Sequence, residues 1–490
     1  MEKKKGSYSV PAEIRALKPI GTEVKKIHNN YYVYQHFNEK REDGSWHKRS
    51  GPCIGSIKPG IGFIPNDTEK RKEKITTLEY GQYAAAFSNS QGTLSDLKEV
   101  FNPQDACQIY IYALILAVNG NTPMKNIKRH FVQSWLSIRF PSLKLGESAL
   151  GTLLDSLGRR QGAVNRFQKK QLMNCSSKLA VDGHVIRNCS KENDLAEFGN
   201  KYGLLKAAQV NLLTVLDVTT HRPVASKMYR GNIPDKSSIA DLLSSHHFTG
   251  KLFIVDKGFY SSGNLSLLCG DGNHYIIPIP ISSTVYKAVT RELFFSKRFV
   301  YRSGKTKTTV EYKEALLSDG ATRVFVFRDI NRNAAECESY ERHLRQKMKG
   351  FSREEYDRIK EFFGTIVLQT SQPNATAQEV YNDYKGRWSI ETYYDFFKNV
   401  IDFNAIGISD YYKMEGFTFI MLIASLIEYE LGLACTNYDS TMSVGDCLLE
   451  ARIVKITKKG LHWYIDASMP KKILKFLEDF HVETKNIPVA

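Results

Sequence analysis

Short apolar runs alternate with charged and turn-forming segments through the middle of the chain, and their order predicts a mixed α/β core. Lys178-Leu179-Ala180-Val181 leads into Asp182-Gly183-His184-Val185-Ile186, a strand that delivers an acid at its end. Asn211–Val218 and Pro223–Tyr229 predict two strands around the polar turn Thr219-Thr220-His221-Arg222. A helix is expected from Asp235 to His247, with the His246-His247 pair as a helix-end feature. Leu252-Phe253-Ile254-Val255 is apolar throughout, as a strand buried on both faces should be, and it stops at Asp256-Lys257-Gly258-Phe259-Tyr260-Ser261. Further strands are expected at His274–Ile281, Arg298–Arg302, Thr308–Tyr312 and Thr322–Phe327, with Ser303-Gly304-Lys305 as a turn. Tyr340–Phe363 reads as a charged helical pair and Thr365–Thr370 as a strand. Thr376-Ala377-Gln378-Glu379 has the form of a capping box that opens a helix.

Outside this core the pattern changes. Tyr31–Phe37 and Gly51–Ile57 read as strands joined by a polar, basic stretch, and residues 1–75 hold sixteen Lys/Arg against nine Asp/Glu. That region is expected to be a small basic β-rich domain, either a DNA-binding arm or a structural cap with an exposed basic face. Residues 76–175 read as a helical domain suited to end binding, with Ala106–Ala117 mostly buried and Ser148–Gly158 closing on Arg159-Arg160 as a helix C-terminus does. No clean helix-turn-helix is visible. The remaining expectations are a core in two parts, 176–273 and 365–435, a β-rich insertion with a helical segment at 274–364, and a C-terminal tail domain at 436–490.

The helix after Thr376 carries the most specific chemistry. At about 100° per residue, Tyr384, Arg387, Glu391 and Lys398 fall within roughly a 60° arc, with Ile390 and Phe397 as an apolar flank. A carboxylate between an arginine and a lysine suits a site for a metal ion and a phosphate, the acid holding the cation and the bases the anion. The plain alternative is a solvated helix face with an ordinary salt bridge. Asp182 and Asp256 weigh against it. A strand with Asp, two strands, a helix, a strand with Asp and a late helix with Glu is the order of a ribonuclease-H-like fold. Three carboxylates converge there on two divalent cations.

Composition narrows the partner. The 490-residue chain carries 68 Lys plus Arg against 52 Asp plus Glu, a formal charge of +16, which favours a polyanion. The best membrane candidate, Phe417–Leu433, contains Glu428 and Glu430 and reads as a core helix. The start Met1-Glu2-Lys3-Lys4-Lys5-Gly6 lacks a secretory apolar region, and eight scattered cysteines without a C-x-x-C pair fit a reducing cytoplasm and no zinc site.

The spacing Tyr384-x2-Arg387-x3-Glu391-x6-Lys398 resembles the Y-R-E-K motif of bacterial insertion-sequence DDE transposases of the insertion-sequence-four superfamily. The Asp182-Gly183 context and the Asp256–Ser261 stretch resemble their two aspartate blocks, and the likeness covers about residues 175 to 435. It implies an α/β, ribonuclease-H-like catalytic core (a mixed sheet flanked by helices) interrupted by a β-rich insertion. It also implies cut-and-paste transposition, with metal-dependent cleavage at transposon ends and strand transfer into target DNA. Asp182, Asp256 and Glu391 would be catalytic and hold two Mg2+ or Mn2+ ions, and Tyr384, Arg387 and Lys398 would bind phosphates. The implied partners are double-stranded DNA of the terminal inverted repeats and target, with a homodimer in the DNA-bound complex. The implied location is the bacterial cytoplasm at the nucleoid, with no membrane.

One departure concerns second-strand cleavage. Trp388, a candidate for DNA stacking, is the only tryptophan between Asp256 and Glu391, so a hairpin route that holds a flipped base on an insertion tryptophan is in doubt. The basic-aromatic segment Lys297–Arg302 with Lys305 and Lys307 suits DNA contact or a solvated hairpin. The competing functions are a nuclease of the same fold and a domesticated, transposase-derived DNA-binding protein that does not transpose.

Overall fold

The computed structural model describes residues 10–40, 44–66, 77–120, 122–188, 196–197, 208–233, 235–304, 306–317, 322–399, 405–406, 408–459, 462–465, 469–485 and 487, with backbone only at 188, 235–236, 395–399, 405–406 and 459. The chain divides into two compact units, one of residues 1–78 with 456–464 and one of the remainder.

In the first unit, β1 (Thr22–Ile27), β2 (Asn30–Lys40), β3 (Trp46–Lys58) and β4 (Gly62–Pro65) form an antiparallel sheet in sequence order. Val33 and Ile57 are buried on one face with Ile14 of the short helix Ala12–Ala16. A further strand, β5 (Thr77–Glu79), belongs to a separate three-stranded sheet completed late in the chain.

The second unit is organised by one large sheet. Its strands are β6 (Lys178–Asn188), β7 (Gln209–Asp217), β8 (Pro223–Arg230), β9 (Leu252–Val255), β10 (His274–Pro278), β11 (Lys297–Ser303), β12 (Thr306–Leu316), β13 (Arg323–Asp329), β14 (Thr365–Thr370) and the two-residue β15 (Ala405–Ile406). The order is β11-β12-β13-β14-β10-β9-β6-β7-β8, with β15 on the far end of β6. β6, β9 and β10 run parallel at the centre and the strands flanking them pair antiparallel. The strands expected as an insertion therefore extend this same sheet. Of the late strands β16 (Lys455–Lys459) and β17 (His462–Ile465), β16 pairs with β5 and β17 with β16, in the order β17-β16-β5.

Alternation sorts the central side chains onto two faces. Val181, Phe253 and Val255 pack on one side with Ile239 and Leu242 of the helix Asp235–His246. Leu252, Ile254, Phe325 and Phe327 pack on the other with Val380 and Tyr381 of the helix Ala377–Gly386. The capping box that opens this second helix is present, with Glu379 N–H donating to Thr376 Oγ1 at 3.2 Å and Thr376 N–H to Glu379 Oε2 at 2.8 Å.

The helix Tyr411–Tyr438 is long and apolar enough to span a membrane, yet it is the central helix of the second unit, with Phe419, Ile420 and Leu422 to Leu426 buried. It crosses the helix Glu147–Arg159 at near backbone contact. A Cβ added at Gly158 would lie 1.9 Å from the Tyr412 carbonyl oxygen, and one at Gly416 would lie 2.1 Å from that of Leu154. Gly158→Ala and Gly416→Ala are each expected to cost about 1–3 kcal/mol, the range for overpacking a filled core. Urea unfolding of each variant measures this, and wild-type midpoints would show that the helices separate freely.

His246 does end its helix and is buried, with Nε2 2.9 Å from Gln168 Oε1; burial lowers its pKa to about 4.

Candidate functional site

The acids are positioned by the central strands and the helix that covers them. Val181 of β6 stands opposite Val255 of β9, so the next residues, Asp182 and Asp256, share one rung beyond it. Val181 and Val255 face the Ile239 side, so alternation turns Asp182 and Asp256 to the side where Tyr384 packs. Asp256 lies just past the end of β9, as expected from the apolar run. Asp182 does not end its strand. β6 continues to Asn188 because His184, Val185 and Ile186 keep pairing with β7, while its parallel partner β9 stops at Val255.

The helix that carries Tyr384 to Glu391 is not continuous. It runs Ala377–Gly386, is interrupted at Arg387 and resumes as Trp388–Asn399. At the break, Arg387 N–H donates to Tyr384 O at 3.1 Å, a tighter turn than the α-helical pattern. Gly386 permits the approach, since a Cβ there would sit 2.6 Å from Val218 Cγ1.

Arg387 links two of the acids. One terminal nitrogen donates to Asp182 Oδ2 at 3.1 Å and the other to Glu391 Oε1 at 2.9 Å. Both nitrogens belong to one planar guanidinium, so those two carboxylate oxygens lie within roughly 8 Å of each other. Burial opposes the charge on Arg387, but Asp182, Tyr384, Asp256 and Glu391 outweigh it and hold its pKa above the ordinary value. The Tyr384 phenol is raised, by burial first and then by Asp256, against the opposing pull of Arg387. Its ring lies 5.8 Å from the Arg387 guanidinium. The Asp256 carboxylate acts on both residues through space and is half-buried.

Lys398 falls in the last turn of the Trp388–Asn399 helix, but its side chain and that of Phe397 lie outside the described residues. Trp388 is exposed to solvent at 68%. With Tyr301, Arg302, His221 and Lys385 it lines an open groove of about 720 Å3 on the neighbouring face. Arg298, Arg302 and Lys307 are exposed on the edge hairpin β11–β12, and Lys305 lies outside the described residues.

Tyr394 was not singled out by sequence. Its hydroxyl donates to the Asp182 carbonyl oxygen at 2.7 Å, which ties the Glu391 helix to the Asp182 strand at the acid itself. The signal was available, because Tyr394 sits three residues after Glu391 and so near it on the helix surface.

Among the described residues, no group of three His, Cys, Asp or Glu is gathered tightly enough to hold a metal ion. The donor chemistry still fits a hard dication, since all three acids offer oxygen and the Arg387 cation takes the place between two of them.

A family model for the transposase DDE domain matches residues 173–427. A comparison with curated proteins finds no match. Among solved structures, the chain is similar to a piggyBac transposase synaptic complex with hairpin DNA at 9% identity and TM-score 0.42, covering 84% of this chain and 86% of that one.

Proposed function

The chain belongs to the transposase DDE-domain family, and from that premise we propose that it cuts DNA at transposon ends and joins the freed 3′ ends to target DNA. The observation that carries the reading is the Arg387 bridge between Asp182 and Glu391, with Asp256 next past Val255 as Asp182 is past the paired Val181. We further assign the core to the ribonuclease-H-like arrangement and the chain to the insertion-sequence-four superfamily. The strand order β8-β7-β6-β9-β10, with only β6, β9 and β10 parallel, supports the first, and the Tyr384, Arg387, Glu391, Lys398 spacing supports the second.

In this reading Asp182, Asp256 and Glu391 hold two Mg2+ or Mn2+ ions. When bound, such a pair activates the attacking oxygen and stabilises the leaving one in an in-line displacement at phosphorus. The chain's own groups do the rest. Tyr394 and the β6–β9 pairing set the spacing of the acids. Arg387 turns from the acids to a phosphate oxygen, where its planar fork can make two bonds. Tyr384 and Lys398 hold neighbouring phosphates. Trp388 and the groove beside it give a base a stacking surface next to the scissile bond. The reaction runs in a homodimer on paired ends, in the bacterial cytoplasm at the nucleoid.

The test separates transposase from nuclease. The chain is incubated with duplexes matching the DNA that flanks its reading frame, together with supercoiled plasmid. With magnesium or manganese, the duplex 3′ ends should become covalently joined to plasmid; with calcium, binding should occur without chemistry. Cleavage without any joined product would leave the nuclease reading standing instead.

A further inference from the structure

Deepening the reading that the partner is DNA, we infer that the uncovered face of the first unit's sheet is a duplex-reading surface that lays the β2–β3 ribbon into the major groove. One face of this sheet is spent on the core, where Val33 and Ile57 are buried against Ile14. On the opposite face Asn38, Lys40, Trp46, Lys48 and Ser50 are exposed. Both register irregularities between β2 and β3 add residues to β3: Val33 stands opposite Gly55, Tyr34 opposite Cys53 and His36 opposite Ser50. β2 thus keeps strict alternation, and Tyr32, Tyr34 and Lys40 share the open face.

Two contacts fix which residues of the neighbouring strands join them. Lys25 of β1 lies 5.0 Å over the Tyr34 ring, and its Nζ donates to Ser50 Oγ at 2.5 Å. Ser50 is therefore on the open face, and alternation along β3 brings Lys48 and Trp46 to the same side. Lys48 pairs with Asn38 and Trp46 with Lys40. Trp46 is 70% exposed. The one acid on that face among the described residues, Glu23, is neutralised by Lys25 at 3.1 Å and accepts a hydrogen bond from Ser50. The surface is cationic, aromatic and amide-bearing.

Shape argues for duplex DNA. A two-stranded ribbon fits the major groove, which is about 12 Å wide. The sheet is only two strands wide where His36 to Lys40 of β2 pair with Trp46 to Ser50 of β3, beyond the reach of β1 and β4. Five residues at roughly 3.3 Å each span about 17 Å, about half a helical turn of DNA. The two bulges sharpen the twist that a ribbon needs to follow the groove. Double-stranded RNA presents a deep, narrow major groove that excludes such a ribbon.

The experiment uses the full-length chain in calcium without magnesium, so no cleavage is involved. Wild type, the Lys40→Ala/Lys48→Ala double variant and Trp46→Ala are titrated with a duplex matching the DNA flanking the reading frame, a scrambled duplex and an RNA duplex of equal length. The double variant should bind both DNA duplexes at least tenfold more weakly, with a salt slope smaller by about two. Trp46→Ala should narrow the preference for the flanking duplex over the scrambled one. RNA should compete poorly. Unchanged affinity and slope in the double variant would overturn the inference, and so would RNA competing as well as DNA. Melting temperatures equal to wild type would show that these exposed substitutions leave the fold intact. Failure of the wild type to cut DNA in magnesium would sink the transposase reading alone, because these binding curves do not depend on cleavage.

Discussion

Asp182→Asn, Asp256→Asn and Glu391→Gln should each reduce DNA cleavage at least about a thousandfold while duplex binding persists. Each change removes a negative oxygen donor and keeps nearly the same volume. In the proposed reaction a metal pair held by these acids would contribute several kcal/mol to the transition state, and each 1.4 kcal/mol is about tenfold in rate. The surroundings argue against collapse. The Asp182 backbone would still accept the Tyr394 hydroxyl, and Val181 and Val255 beside the acids are fully buried. Single-turnover cleavage of end DNA in manganese, alongside binding in calcium, measures both quantities. Retained cleavage in any one variant would remove that acid from the catalytic set. Loss of binding together with cleavage would mean that the acid shapes the DNA surface instead.

Arg387→Ala should do two opposite things: strengthen metal binding in the absence of DNA and weaken DNA binding. The guanidinium neutralises Asp182 and Glu391 as they stand, so a dication arriving without DNA must compete with it. A unit charge about 4 Å away is worth about 4 kcal/mol at an effective dielectric of 20. Glu391 is half exposed, which screens its share. The remainder still predicts manganese affinity at least tenfold higher in the DNA-free variant. DNA affinity should fall, with a salt slope smaller by about one for the lost phosphate contact. Arg387→Lys should be intermediate, because a lysine can neutralise one acid but cannot fork across both. Manganese titration followed by electron paramagnetic resonance gives the first quantity, and end-DNA titration at two salt concentrations gives the second. Equal metal affinity in wild type and Arg387→Ala would show that the bridge does not compete with cations. A wild-type chain whose metal affinity rises when DNA is added is the corresponding gain-of-binding result.

The bridge also shows where the linear chain stops being informative. The Tyr384, Arg387, Glu391 and Lys398 spacing is a local property, and a helical period of 3.6 residues predicts these residues on one side, although the helix is interrupted at Arg387. What Arg387 touches in the DNA-free chain is not local. Asp182 lies 205 residues earlier and meets the guanidinium because the helices on either side of Arg387 pack onto the sheet that carries β6. The break at Arg387 was likewise hidden, since nothing in Lys385-Gly386-Arg387-Trp388 marks it except a glycine. That glycine leaves room for Val218, which approaches from a distant turn. The sequence around Tyr394 names no partner for its hydroxyl; only the fold sets it against the Asp182 carbonyl.

By itself, the sequence determined many of the local elements and the sign of the partner's charge. The apolar run Leu252–Val255 could only be a strand buried on both faces, Thr376 with Glu379 specified a helix start, and the basic surplus pointed to a polyanion. These follow from short-range periodicity, capping and charge, all of which are complete within a few residues or in the composition. Tertiary structure alone decided that β11, β12 and β13 extend the central sheet, that Asp182 sits inside its strand, and that a late segment completes the first unit. It also decided that an arginine bridges the acids. Strand pairing and charge pairing join residues hundreds of positions apart, and which partners meet depends on how competing faces are buried, a property that no local window contains.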